Sequence, residues 1–205
     1  MTELTFALIR EGTSDDGLVA HLRTLMIKAG ASKVVGASRE YKGPTKERIS
    51  QVLAEQAKVD LIFVHRDADS SDPKPRYEEI HDAASSLGCS DRVVPVVPVQ
   101  ELEAWLLADE AQIRSVAGRP SGKQALGVPS LSKIESTKSP KEILQKAYLA
   151  ASETKGARYK RQAKQFPQHR ATLLERLDHD GPIKSLPSWQ RFVEDVTLKT
   201  TELCS

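Results

Sequence analysis

Carboxylates gather after three apolar, strand-like runs of this 205-residue chain: Glu11 after the first, Asp67 and Asp69 after the second, Glu101 and Glu103 after the third. Hard divalent cations such as Mg²⁺ or Mn²⁺ take oxygen ligands, usually one or two carboxylates, with water and substrate phosphate completing the shell. Asp67 and Asp69 are two residues apart, and in extended geometry such positions project to one side, so both are expected to face one crevice. Glu11 reaches the same edge if the first and third strands are neighbours. Asp15 lies one helical turn after Glu11 and, with Glu101 or Glu103, is a candidate ligand for a second ion. Two ions about 4 Å apart would clamp the attacking and leaving oxygens of a phosphodiester. The expected catalytic set is Glu11, Asp67 and Asp69. Crowded carboxylates are costly unless a cation neutralises them, and that cost is the physical ground for expecting a metal.

The elements that must position these acids can be read from periodicity. Residues 5–9 (TFALI) form a buried strand that ends at a glycine turn, Gly12. Thr13 or Ser14 is placed to cap a helix carrying Leu18, Val19, Leu22, Leu25 and Met26, closed by Gly30. Residues 33–37 are a weaker strand, and a helix from Thr45 follows. Residues 61–64 (LIFV) are the clearest strand, running directly into His65, Arg66 and Asp67, with His65 expected to be hydrogen-bonded at the strand end. A polar loop over 70–75 and a helix over 77–87 come next. Residues 92–99 (RVVPVVPV) are β-rich, with two prolines that place the run at an edge or make it irregular, and residues 100–107 turn helical.

Strands alternating with helices at this spacing predict an α/β fold with a mainly parallel sheet flanked by helices. Such sheets bind ligands at the carboxyl ends of their strands. Residues 1–110 are taken as this α/β domain, 111–140 as a loop-rich connection, and 141–205 as a basic helical extension with helices over 140–152, 170–177 and 188–198. Trp105, Trp189 and Phe192 read as core residues.

Composition separates two tasks. Residues 1–110 hold 13 basic and 19 acidic side chains, net −6, and residues 111–205 hold 17 and 9, net +8. Lys155, Arg158, Lys160, Arg161, Lys164 and Arg170 lie in a stretch without an acid, interleaved with Tyr159 and Phe166. A run of this kind can follow a phosphate backbone, with aromatic rings available for unpaired bases. No apolar run is long enough for a membrane span, and the first residues lack the basic and apolar regions of a signal peptide, so a cytoplasmic location is expected. Cys89 and Cys204 are far apart and are expected to be reduced bystanders.

Residues 8–15 (LIREGTSD) and 63–69 (FVHRDAD) resemble the two signature motifs of the Toprim fold of topoisomerases, primases and nucleases of the overcoming-lysogenization-defect type. Residues 98–107 (PVQELEAWLL) are similar to a third block in a family of stand-alone Toprim-like proteins, the DUF4276 group. The resemblance implies a Rossmann-like Toprim core. It further implies that Glu11 acts as general acid or base or as a ligand, that Asp67 and Asp69 bind metal, that Asp15 is a second acid, and that Glu101 or Glu103 is the late acid. The nuclease relatives are often linked to an ABC-type ATPase. This chain has no Gly-x-x-x-x-Gly-Lys-Ser/Thr loop, so such a partner would act in trans. No tyrosine is marked as a topoisomerase nucleophile, which favours hydrolysis by activated water.

The expected function is metal-dependent cleavage of nucleic acid, DNA rather than RNA, in phage defence or DNA processing. Two alternatives stay open: a catalytically silent regulatory or binding subunit of an ATPase complex, and a PIN-like ribonuclease. A receiver-like phosphoacceptor ranks lower, because the third run is followed by glutamine and glutamates where a receiver needs lysine.

Overall fold

The computed structural model describes residues 2–56 and 58–205, and the chain divides into two compact units. The first comprises Met1–Ala68, Asp72–Val97 and Gln190–Ser205, and the second comprises Asp69–Ser71 and Pro98–Trp189.

In the first unit, β1 (Glu3–Ile9), α1 (Leu18–Lys28), β2 (Lys33–Arg39), α2 (Thr45–Glu55), β3 (Leu61–His65), α3 (Lys74–Ser86) and β4 (Val93–Val96) follow one another. The strands form an all-parallel sheet in the order β2-β1-β3-β4. The helices are the crossovers that parallel strands require. The expected α/β class is therefore met, with β1 and β3 adjacent in the interior. Every residue of β3 is buried, whereas β2 alternates between exposed and half-buried positions, as an edge strand should.

Alternation decides the two faces. Ala7, Ile9, Ile62 and Val64 pack with Ile49 and Val52 of α2 and Tyr77 and Ile80 of α3. Phe6, Leu8, Leu61 and Phe63 point the other way, with the Phe6 and Phe63 rings edge to face at 5.4 Å. Burial of each such side chain contributes roughly 1.5–3 kcal/mol relative to exposure, so interior strands read as unbroken apolar runs. Gly36 of β2 is paired with Phe6, and a Cβ at that position would collide with the Phe6 ring. Both expectations for the fourth run are met in part: Pro95 lies in the edge strand β4, and Pro98 falls in the irregular chain after it. The carbonyls of Arg92 and Val96 accept from Ile62 and Arg66, so the intervening Pro95 turns its missing N–H away from β3.

The second unit contains α4 (Glu103–Leu107), α5 (Glu110–Val116), α6 (Leu131–Ile134), α7 (Pro140–Ser152), α8 (Gly156–Lys164), α9 (Phe166–Glu175) and the first residues of α10 (Pro187–Cys204). Trp105 and Trp189 are buried edge to face at 5.0 Å, and Trp105 Nε1 donates to Ser188 Oγ at 2.8 Å. From Gln190 onward α10 belongs to the first unit, where Phe192 is buried and the Arg191 guanidinium lies 3.7 Å from the Tyr77 ring centroid.

Several element boundaries differ from the sequence reading. Helix α3 begins at Lys74 rather than at 77, because Pro75 lies in the first turn, where a missing N–H costs nothing. Residues 110–140 are not wholly irregular: Asp109 caps α5 by accepting the Gln112 N–H at 2.9 Å, and α6 is a single turn. The two units also cut the chain at 97/98 and 189/190, not at 110 and 141, because the end of α10 packs with the sheet's unit. No described helix is long and apolar enough to cross a membrane.

Candidate active site

Sheet register explains how the first acids come together. Ile9 pairs with Val64, so continuing both strands by two residues sets Glu11 beside Arg66. Arg66 Nε donates to Glu11 Oε1 at 2.6 Å, a charge-assisted bond. Arg66 Nη1 also donates to Thr45 Oγ1 at 2.8 Å and to Glu79 Oε1 at 2.7 Å. Arg76 extends the chain of charges, donating to Glu79 Oε2 at 2.8 Å and, through Nε, to the Asp67 carbonyl at 3.1 Å. Burial alone would raise the Glu79 carboxyl. Hydrogen bonds from Thr45 and Arg76 and the charges of Arg66 and Arg76 outweigh that effect and hold it below its ordinary value.

His65 lies beneath this network, wholly buried at the last position of β3. Its Nδ1 is 3.5 Å from Asp15 Oδ2 and its Nε2 is 3.3 Å from Asp67 Oδ1. Both contacts are ion pairs rather than well-directed hydrogen bonds. Burial pushes the imidazole down, but the two flanking carboxylates more than reverse this and raise it to about 9 from an ordinary 6.5. Asp15 is itself buried, and its Oδ2 accepts the Gly12 N–H at 3.1 Å, tying the glycine turn to a short 3-10 turn at Thr13–Asp15. The expected cap by Thr13 or Ser14 is thus replaced by Asp15 reaching back to Gly12.

A pH dependence follows for the metal-free protein. The folded value of His65 lies above the unfolded one, so its stabilisation is fully present below about 6.5 and is lost as the pH rises through about 9. In EDTA, the thermal midpoint should fall between pH 7 and 10 more steeply for the wild type than for His65→Gln. Parallel curves would show that the charged imidazole does not stabilise the fold.

The remaining acids belong to the second unit. Asp69 does not continue an extended strand: β3 ends at His65, and Asp69 is left-handed at φ 52°. The expected pleated alignment of Asp67 with Asp69 is therefore absent. The Asp69 N–H donates to the Gln100 carbonyl at 2.8 Å, while Gln100, also left-handed at φ 64°, donates its N–H to the Ser70 carbonyl at 3.0 Å. Two non-glycine residues held in this region cost on the order of 1–3 kcal/mol each, a kind of strain that clusters at ligand clamps and active sites. Glu101 Oε2 accepts the Lys141 N–H at 3.0 Å and so caps the positive end of α7. Glu103 is buried and accepts from Arg170 Nε at 2.9 Å. Both late acids thus have structural partners, and Arg170 is not an exposed phosphate ligand as expected. Among the described residues, no group of three or more His, Cys, Asp or Glu side chains is arranged to hold a metal ion.

A family model described as a domain of unknown function, DUF4276, matches residues 4–197. The chain belongs to this DUF4276 family. No curated protein and no solved structure matches it. The match covers both units, so the DUF4276 domain includes the helical second unit as well as the sheet.

The other expected phosphate-binding residues, Lys155, Arg158, Lys160, Arg161 and Lys164, are all exposed at or within α8. Sequence reasoning missed Glu79, Arg76 and Thr45. The i, i+3 spacing of Arg76 and Glu79 on one helix was the available signal, but the contact of Glu79 with Arg66 depends on how α3 packs.

Proposed function

We propose that this protein hydrolyses phosphodiester bonds of nucleic acid with the help of a divalent cation, Mg²⁺ or Mn²⁺, at the carboxyl edge of β1 and β3. The observation that carries this reading is the placement of Glu11, Asp15 and Asp67 beside the ends of two adjacent interior parallel strands, where open parallel sheets bind ligands. Three carboxylates there already draw two protein cations, His65 and Arg66, which is the electrostatic sign of a site that favours positive charge.

The donor chemistry fits a hard cation, since carboxylate oxygens are the ligands such ions prefer. Glu11 and Asp67 would hold it, with Asp15 beside them as a further candidate. When bound, the ion would supply Lewis-acid stabilisation and an activated water. Glu11 is assigned the proton transfer and Arg66 the phosphate contact. The likeness of residues 8–15 and 63–69 to Toprim motifs supports the same roles. Action on DNA, in phage defence or DNA processing with an ABC-type ATPase in trans, is the setting this reading implies.

One observation favours a second reading, a silent binding subunit of an ATPase complex: Arg66 and His65 together neutralise the acids from within the fold. Incubating the purified chain with single- and double-stranded DNA and RNA, with Mn²⁺, Mg²⁺ or EDTA, separates the two. Metal-dependent cleavage supports the hydrolase. Inertness on every substrate, together with stable co-purification of an ATPase, supports the silent subunit, and cleavage of RNA alone moves the reading to a ribonuclease.

A further inference from the structure

Helix α8 buries none of its residues. Its cations Arg158, Lys160, Arg161 and Lys164, with Lys155 at its N-cap, are exposed, and among the described residues none is in an ion pair. A tie to α7 runs from the Tyr148 hydroxyl, which donates to Gln162. A helix that contributes nothing to a core and carries this much unpaired positive charge is suited to a polyanion.

Beside it lies a cleft of about 510 Å³, walled by Lys146, Leu149 and Ala150 of α7, by Glu153, and by Lys155 and Tyr159. A second cleft of about 510 Å³, lined by residues 118–123, shares Glu153 and adds Arg119 and Lys123. Lys146 is 3.9 Å from Glu142, but that pair is solvent-exposed and holds the lysine weakly. Across both clefts four cations face one carboxylate, that of Glu153. The first cleft has in addition an apolar floor, Leu149 and Ala150, and an aromatic ring, Tyr159, left 45% exposed.

We propose that this cleft and α8 bind single-stranded nucleic acid, with an unpaired base against the Tyr159 ring and the lysines and arginines on the phosphates. Charge alone would accept duplex equally well. The face of a base is hidden by stacking inside a duplex, so only an unpaired base can use an apolar floor and an exposed ring. The inference deepens the proposed action on nucleic acid, rests on it, and names the strand form.

Fluorescence anisotropy in EDTA, with a labelled single-stranded oligonucleotide and its blunt duplex, tests it without any cleavage. The wild type should bind the single strand about tenfold or more tightly than the duplex. Tyr159→Ala should lose about tenfold on the single strand and little on the duplex, whereas Tyr159→Phe keeps the ring and the affinity. Lys155→Ala should lower the salt slope on the single strand by about 0.7. Because α8 buries nothing, circular dichroism of these variants should match the wild type. Equal affinity for both strand forms, or indifference to Tyr159→Ala, overturns the proposal. Strand binding as expected without cleavage under any metal would instead leave it standing and remove the hydrolase reading.

Discussion

Asp67→Asn is expected to abolish cation-dependent cleavage, lowering the rate by at least about a thousandfold, while the protein still folds. Asparagine keeps the size of the side chain and removes its charge, so the change removes a hard anionic donor without opening a cavity. A bound cation contributes several kcal/mol of charge stabilisation to phosphoryl chemistry, which sets the expected size of the loss. The same substitution takes one of two carboxylates from His65, so the variant should also show a weaker fall in thermal midpoint between pH 7 and 10. Glu78→Gln, on the exposed side of α3, is the matched control and should keep full activity. Rate assays with purified variants at saturating Mn²⁺ decide the matter, and full activity in Asp67→Asn would remove that residue from the chemistry.

The second large effect concerns stability. Glu103 and Arg170 are 4% and 7% exposed at the side chain and separated by 2.9 Å, so removing either takes from the other buried charge its opposite at 2.9 Å. Glu103→Ala and Arg170→Ala should each cost about 3–5 kcal/mol, whereas the double replacement Glu103→Leu with Arg170→Met should recover most of that loss, because desolvation of both charges is relieved together. Urea unfolding of the four proteins measures these losses and the recovery. Single losses below about 1 kcal/mol would contradict the burial argument. Cleavage retained by the double variant would further confine Glu103 and Arg170 to a structural role.

The elements were legible where periodicity was strong. Residues 61–64 read as a central strand because a parallel strand covered on both faces leaves no polar position, and Pro95 was legible as an edge residue because the edge is where a missing N–H is tolerated. Helix α8 was less legible, since a segment without a buried face has no apolar repeat to detect.

In the site, the meeting of Glu11 with the end of β3 followed from strand order, and register then placed it on Arg66. The pairing of Asp67 with Asp69 did not follow, because the i, i+2 rule holds only while the chain stays extended and Asp69 turns left-handed. Nor could spacing reveal that Glu103 and Arg170, 67 residues apart, neutralise one another in a helical core. His65 was visible only as a residue at a strand end. Its charge arises from two carboxylates brought in by separate elements.

Titration of Mn²⁺ into the purified protein, following the free ion by electron paramagnetic resonance, probes the acidic edge most directly. Saturable binding by the wild type that disappears in both Asp67→Asn and Glu11→Gln is the predicted result. No saturable binding up to millimolar Mn²⁺, or binding unchanged by both substitutions, would contradict a cation site at the ends of β1 and β3.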